Sequence, residues 1–400
     1  MPNANICMLP WVSVETSPVG SARPCCLALG HITKPDGTEY NLNTDTLEEI
    51  YNSDYMRDMR QEFIDNKKPE ACQRCWDEEA AGRQSKRINS IKKMKPLIPL
   101  IDFTSADPSG MMYVDLKLGN ICNIKCRTCG SWSSSKWATE DLQNVPYEQR
   151  KTHIAKVFMQ QGEWPRKSPV FWDNMRKQLP SIRYFDFTGG EPFMIQEHFD
   201  LLKYSAEQGY SKHQQIHYNT NGTQWPEDAE QLWKQFELVE IAFSIDNVGD
   251  RFELERSGAK WDEVNSNIQR FREMRERNSN ITLQVCLTIN TQNVYYLEEL
   301  CAWIAEQNFN YDYFNMLHDP RHFNIGEMTA EAKELVINKL RNGKFIPRHQ
   351  IEINRIIKFI ENGPTSDGAK FVREMKRLDQ RRNENFAVTH PEIARAMGYE

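Results

Sequence analysis

Several features are scarce in this chain of 400 residues, and each absence excludes something. No apolar run approaches the roughly 20 residues needed to span a bilayer, so no membrane segment is expected. Positive charge is not in excess. The formal net charge is -6, which offers no electrostatic footprint for nucleic acid. The opening "MPNANICMLPWVS" lacks the basic region and long apolar stretch of a signal peptide. The expectation is a cytoplasmic protein in a reducing environment. There, the 10 cysteines are better suited to metal ligation or to free thiols than to disulfides. Internal repeats and low-complexity tracts are also lacking. A hydrophobic content of 39% with 26% charged residues describes an ordinary globular chain, long enough for two or three domains.

What is present is a pattern of cysteines. Cys7, Cys25, Cys26, Cys72 and Cys75 precede residue 80, and Cys122, Cys126 and Cys129 form a second group. Cys286 in "ITLQVCLTI" and Cys301 in "LEELCAWIAEQ" stand alone and read as small core hydrophobes. The first stretch is turn-rich, with a helical segment "TLEEIYNSDYMRDMRQEF". A basic helical stretch, "EEAAGRQSKRINSIKKMK", follows and reads as a solvated helix face. The connector "PLIPLIDFTSADPSG" then marks a boundary.

From Met111 short β-like runs recur: "MYVDLKL", "IRYFDF", "QQIHYN", "LVEIAFSI", "ITLQVCLTI" and "YDYFNM". Helical patterns separate them, with a long helical insertion between residues 130 and 180. Strands alternating with helices predict a parallel α/β sheet. After about Arg321 only helical patterns remain.

The segment "GNICNIKCRTCGSW" sets Cys122, Cys126 and Cys129 at C-x3-C-x2-C, directly after the first α/β strand. Loops converge at the C-terminal ends of parallel strands, which is where such folds place their chemistry. Three thiolates on a four-iron cluster leave one iron open to a small molecule. The competing reading is a zinc or closed-cluster site with a remote fourth ligand. The second strand runs into Gly189, Gly190, Glu191 and Pro192, where glycines permit close backbone approach and the glutamate supplies an anion. The third ends in Asn219, Thr220 and Asn221, which offer polar groups or form an Asn-Gly turn. On the fourth, Ser244 and Asp246 alternate with Phe243 and Ile245 and so share a face; Arg256 follows.

The order of these motifs over residues 112 to 260 resembles that of the radical S-adenosylmethionine (SAM) enzymes. The resemblance implies a partial (β/α)6 barrel. It also implies a 4Fe-4S cluster on Cys122, Cys126 and Cys129, whose open iron binds SAM. Reductive cleavage of SAM would yield a 5'-deoxyadenosyl radical that takes a hydrogen from substrate. Gly189, Gly190 and Glu191 match the motif that holds the SAM amino group. Ser244 stands near the expected ribose, and Arg256 where relatives carry an arginine toward the SAM carboxylate. Asn219, Asn221 and Asp246 complete the expected cofactor-binding set. Thr128 departs from the pattern, since an aromatic residue often precedes the third cysteine and lies near the adenine.

The N-terminal cysteines follow C-x12-G-x4-C, from Cys7 through Gly20 to Cys25, with Cys72-x2-Cys75 later. By ligand chemistry alone they suit an iron–sulfur cluster or a zinc ion equally. The stretch resembles a SPASM or twitch domain, which implies a second, auxiliary 4Fe-4S cluster on Cys7, Cys25, Cys72 and Cys75. Cys26 is the alternative to Cys25. No further cysteines follow Trp76 before the barrel, which matches the one-cluster twitch form. The module lies before the barrel instead of after it.

The expected division is an auxiliary-cluster domain over 1–95, a radical SAM core over 110–320 and a helical extension over 321–400. The expected function is modification of a peptide or protein, with a flavodoxin- or ferredoxin-type electron donor. The alternatives are a radical dehydrogenase acting on a small molecule or carbohydrate, and a non-catalytic zinc or iron–sulfur protein.

Overall fold

Strict alternation of burial in the second α/β run, with Phe185 and Phe187 inward and Tyr184, Asp186 and Thr188 half-buried, is what a strand with one apolar face requires. The computed structural model describes residues 3–80, 84–108 and 110–399. The strands among them are β1 (Glu15–Thr16), β2 (Ala22–Arg23), β3 (Tyr113–Lys117), β4 (Lys125–Cys126), β5 (Tyr184–Thr188), β6 (Gln215–Thr220), β7 (Leu238–Ser244), β8 (Arg256–Ser257), β9 (Ile281–Ile289) and β10 (Tyr311–Met316). All six runs expected from the sequence are strands, and helices separate them in chain order. The class is α/β with parallel strands wound sequentially, as a (β/α)6 arrangement demands.

The chain divides into two compact units. The first comprises Met1–Cys122, Ser131–Tyr218 and Pro226–Val239. Its strand order is β6-β5-β3-β1-β2. The β3–β5, β5–β6 and β1–β3 pairs are parallel, and β1–β2 is antiparallel. Register sorts the side chains into two faces. Val114 pairs Phe185 and Leu116 pairs Phe187, which in turn pairs Tyr218, giving an apolar face. The helix Gln196–Glu207 covers it, with His198 packed on Phe187 at 4.9 Å between ring centroids. The opposite face carries Asp115, Asp186 and His217 in one register row.

A second core in this unit holds Ile6, Cys7, Leu9, Trp11, Met59, Phe63 and Trp76. Trp11 packs on Phe103 at 5.4 Å and on Phe63 at 6.2 Å. Arg60 is buried among them and donates to the carbonyls of Pro10 (2.7 Å) and Tyr51 (2.6 Å), so its desolvated charge is spread over backbone acceptors.

The second unit comprises Asn123–Gly130, Asn219–Trp225 and Glu240–Glu400. Its strand order is β10-β9-β7, with β9 and β10 parallel, and β4 pairs β8 antiparallel. Three long helices follow the last strand, Ala330–Asn342, Pro347–Asn362 and Ala369–Arg382, as expected.

Three sequence expectations change. "TLEEIYNSDYMRDMRQEF" forms two helices, Leu47–Tyr51 and Asp54–Ile64, because Ser53 caps the second and restarts the chain. The basic stretch is not wholly a solvated face. Lys92 and Lys93 are exposed, but Lys86 and Arg87 are half-buried, and residues 81–83 lie outside the described set. Cys286 is half-buried and not a full core residue. It sits on the more accessible side of β9, with Asn315 Nδ2 3.0 Å from its sulfur, whereas Cys301 is buried as expected.

Candidate cofactor sites

The segment leading into Cys122 is built against the Gly-Gly-Glu stretch, and both belong to the first unit. Gly190 N–H donates to Gly119 O (2.9 Å) and Glu191 N–H to Ile121 O (2.8 Å). A Cβ on Gly190 would lie 2.2 Å from Ile121 O, and one on Gly189 2.7 Å from Leu118 N. The glycines are thus required by backbone meeting backbone, in addition to any ligand. Gly189 also has φ +112°, a value that side chains rarely adopt. Glu191 follows the glycines at the end of β5. It is fully buried, and its Oε1 accepts from Phe193 N–H at 3.1 Å. Ser135, absent from the sequence reading, holds the start of the cysteine loop. Its hydroxyl lies 3.2 Å from Cys122 N, and its own N–H donates to Asn120 O at 2.6 Å.

Cys126 and Cys129 lie in the second unit, where Cys129 N–H donates to Cys126 O at 3.0 Å. Contact with the Cys129 thiol, then burial, pushes the Cys126 thiol well up, so ligation would release its proton. The β4–β8 pairing sets Cys126 opposite Arg256. Arg256 is buried. Its Nη2 donates to Asp246 at 2.6 Å, and its Nη1 lies 3.6 Å from Cys126 Sγ. Burial alone would lower its pKa, but the Asp246 carboxylate and the two thiols outweigh that and raise it. Its Nε is buried without an acceptor. Asp246 also accepts from Thr288 N–H (2.8 Å), so β9 fixes the carboxylate that fixes the arginine. Ser244, two residues away on the same strand, is half-buried.

Asn221 has a local role. Its Oδ1 accepts from Thr223 N–H (2.9 Å), while its Nδ2 donates to Asn123 Oδ1 (3.1 Å) inside the cysteine loop. Gly222 follows at φ +77°, so the Asn-Gly turn is real, and it also braces the loop. Asn219 is half-buried at the end of β6.

Motif spacing does not single out Arg127. Its side chain is fully buried, donates to Asp379 and to Glu384 (2.6 Å), and reaches Leu254 O (3.3 Å). Arg382 Nη1 donates to Lys125 O (3.0 Å), and Ser257 Oγ to Glu384 (2.6 Å). The helical extension therefore grips the backbone between Lys125 and Cys129. An arginine inside a cysteine loop is the only visible signal, and its carboxylate partners lie some 250 residues away.

The thiols of the N-terminal group lie within the first unit. Cys7 and Cys75 are buried, and Cys25 and Cys72 half-buried. Burial, then Cys25 and Cys72, raises Cys7 well above the usual thiol range. Cys72 is pushed to about 12 by burial, then by Cys25 and Cys75. Cys25 is pushed to about 11 by burial, then by Cys26 and Cys75. Cys26 is raised by burial too, but its charged neighbours are Lys86, Asp115, Lys117 and Glu15. Cys7, Cys72 and Cys75 are not among the main influences on it.

Two separate cysteine sets, one directly after the first α/β strand, have the number and spacing that suit iron–sulfur clusters, although among the described residues no three His, Cys, Asp or Glu side chains are gathered closely enough to hold a metal ion as they stand. Residues 116–304 match the model of the Radical SAM superfamily, and residues 7–76 that of SPASM, an iron-sulfur cluster-binding domain. Residues 116–304 thus carry a radical SAM domain, and residues 7–76 a SPASM-like domain on its N-terminal side. The cofactors that these two domains call for are 4Fe-4S clusters and SAM.

No curated protein sequence matches the chain at a significant level. Among solved structures, native anSMEcpe with bound AdoMet is 13% identical over 56% of this chain and 58% of its own, at a TM-score of 0.36. The chain therefore spans under two thirds of that neighbour. Streptococcus suis SuiB bound to S-adenosylmethionine is 11% identical over 84% of this chain and 68% of its own, at 0.35. TYW1 with a lysine-pyruvate adduct bound is 10% identical over 58% and 72%, at 0.31. Among the described residues no helix is long and apolar enough to cross a membrane.

Two outcomes are expected. Anaerobic reconstitution should load about eight irons per chain. Cys25→Ala should lower that to about four, and Cys26→Ala should leave it unchanged, by iron and sulfide assay; four irons with stoichiometric zinc in the wild type would make the N-terminal site a zinc site. Asp379→Ala leaves Arg127 buried beside one fewer carboxylate. It should cost about 3–5 kcal/mol in urea unfolding, as breaking a buried pair does.

Proposed function

We propose that this enzyme cleaves SAM reductively, abstracts a hydrogen from its substrate and so modifies a peptide or protein in the cytoplasm. The reading keeps an auxiliary-cluster domain at 1–95, a radical SAM core at 110–320 and a helical extension at 321–400. Cys122, Cys126 and Cys129 would hold the cluster that binds SAM, and Cys7, Cys25, Cys72 and Cys75 the auxiliary cluster. When bound, these groups supply the 5'-deoxyadenosyl radical; the protein's residues bind, orient and exclude water.

One observation carries most of the site assignment: the buried Arg256 Nε has no acceptor, although Asp246 pins the guanidinium beside Cys126. A buried guanidinium donor without an acceptor is costly, and the SAM carboxylate would satisfy it. Glu191, beside two glycines at the end of β5, would take the SAM ammonium. Asn219, Asn221 and Ser244, at their strand ends, would serve the ribose and carboxylate. The peptide substrate is supported by the SPASM-like domain at residues 7–76. An external flavodoxin or ferredoxin would deliver the electron.

Replacing Cys122, Cys126 and Cys129 together by Ala should abolish 5'-deoxyadenosine formation and leave about four irons on the N-terminal thiols. Unchanged SAM cleavage in that variant would end the assignment. Glu191→Gln keeps size and removes charge, so SAM affinity should fall by ~1–3 kcal/mol in equilibrium dialysis. Equal affinity would remove Glu191 from the site. Turnover of candidate peptides by the reconstituted enzyme tests the substrate class.

A further inference from the structure

The polar face of the first unit's sheet carries more charge than its hydrogen bonds use. One register row runs Arg23, Glu15, Asp115, Asp186 and His217 across β2, β1, β3, β5 and β6. Lys117 stands two residues beyond Asp115 on the same face, and Thr188 two beyond Asp186. Lys86, the first residue of the helix Lys86–Lys93, is half-buried and lies near enough to Cys26, Asp115 and Asp186 to feel their charge.

Glu15 is satisfied: Arg23 Nε donates to it at 3.0 Å, and Lys117 Nζ contacts its other oxygen. Its two neighbours are not. Asp115 is only 8% exposed, and among the described residues its carboxylate accepts no hydrogen bond. Burial, then Asp186 and Glu15 against the opposing pull of Lys117, holds it up at about 6. Asp186 takes one bond from the Tyr113 hydroxyl (3.1 Å) on Oδ2, and its Oδ1 is buried without a partner. Thr188 Oγ1 is buried without a partner as well. Among the described residues, Lys86 forms no ion pair within 4.0 Å with either aspartate.

The Asp115 and Asp186 carboxylates therefore remain incompletely satisfied, and the Lys86 ammonium, which feels the charge of both, bonds to neither. Glu15, Asp115 and Asp186 balance Arg23, Lys86 and Lys117 in formal charge. A ligand with net charge would leave an uncompensated charge in this buried setting, which is expensive. A group of zero net charge, with N–H donors at one end and an oxygen acceptor at the other, satisfies all three without disturbing the balance. The face is also well placed. Asp186 lies two residues, roughly 7 Å, down β5 from Thr188, which adjoins Gly189.

We propose that Asp115, Asp186 and Lys86 form the substrate-anchoring pocket, and that it receives a dipolar group of zero net charge, an amino-acid zwitterion or a primary amide. The N–H donors would meet Asp115 and Asp186, and the oxygen would meet Lys86. This deepens the reading of a peptide- or amino-acid-modifying enzyme and rests on it. Lys86 comes from the N-terminal segment and the aspartates from the α/β strands, so the pocket needs both.

The test uses the reconstituted holoenzyme and saturation-transfer NMR with glycine, acetamide, acetate and methylammonium as probes. Glycine or acetamide should bind saturably, and whichever binds names the form of the dipole. Acetate and methylammonium should bind at least tenfold more weakly. Asp186→Asn and Lys86→Met should each weaken the favoured probe at least fivefold, with iron content and thermal midpoint verifying that each variant is folded. Equal binding of the single-charge probes, no binding of either dipolar probe, or no loss in both folded variants would overturn the pocket. 5'-Deoxyadenosine formation by the wild type reads the proposed function separately. Cleavage without dipolar binding sinks the pocket alone, and binding without cleavage sinks the radical reading alone.

Discussion

The approach of the Gly189–Gly190 backbone to residues 118–121 is the constraint on which the first unit's site depends. Two peptide segments meet so closely that a Cβ on Gly190 would fall 2.2 Å from Ile121 O. The hydrogen bonds from Gly190 and Glu191 then lock the end of β5 to the chain that enters the cysteine loop. Cys122 inherits its position from that lock and from Ser135. A loop alone would leave its thiol mobile; a loop stitched to a strand end holds it.

The second half of the cysteine loop is held by different means. Asp246 and Thr288 pin Arg256 beside Cys126, and Arg127 ties the loop to Asp379 and Glu384. Burying a guanidinium costs several kcal/mol unless carboxylates and carbonyls meet it, and Arg127 has both. Such a network contributes little net stability, but it admits one loop geometry. That is what a cluster loop needs, and it gives the C-terminal helices a physical role beyond bulk.

The N-terminal thiols show how packing selects ligands. Cys25 and Cys26 are adjacent, and spacing alone separates them weakly. In the structure Cys25 influences Cys7 and Cys72, whereas Cys26 faces Lys86 and Asp115. The short β1–β2 pair joins β3 and brings this module's polar residues onto the face shared with Asp115.

The sequence by itself determined the six α/β strands, because alternation and β-branched runs are local signals. It also determined the two cysteine sets and the order of the motifs, which are spacings along one chain. It did not show that Glu191 is buried, that Lys86 is half-buried or that Arg127 is clamped from residues 379 and 384. Nor did two-residue strands such as β1, β2, β4 and β8 show, since they are too short to carry a period. Those features depend on which distant segments meet. A buried charge is tolerable only where its partners arrive, and only the tertiary structure decides where that is.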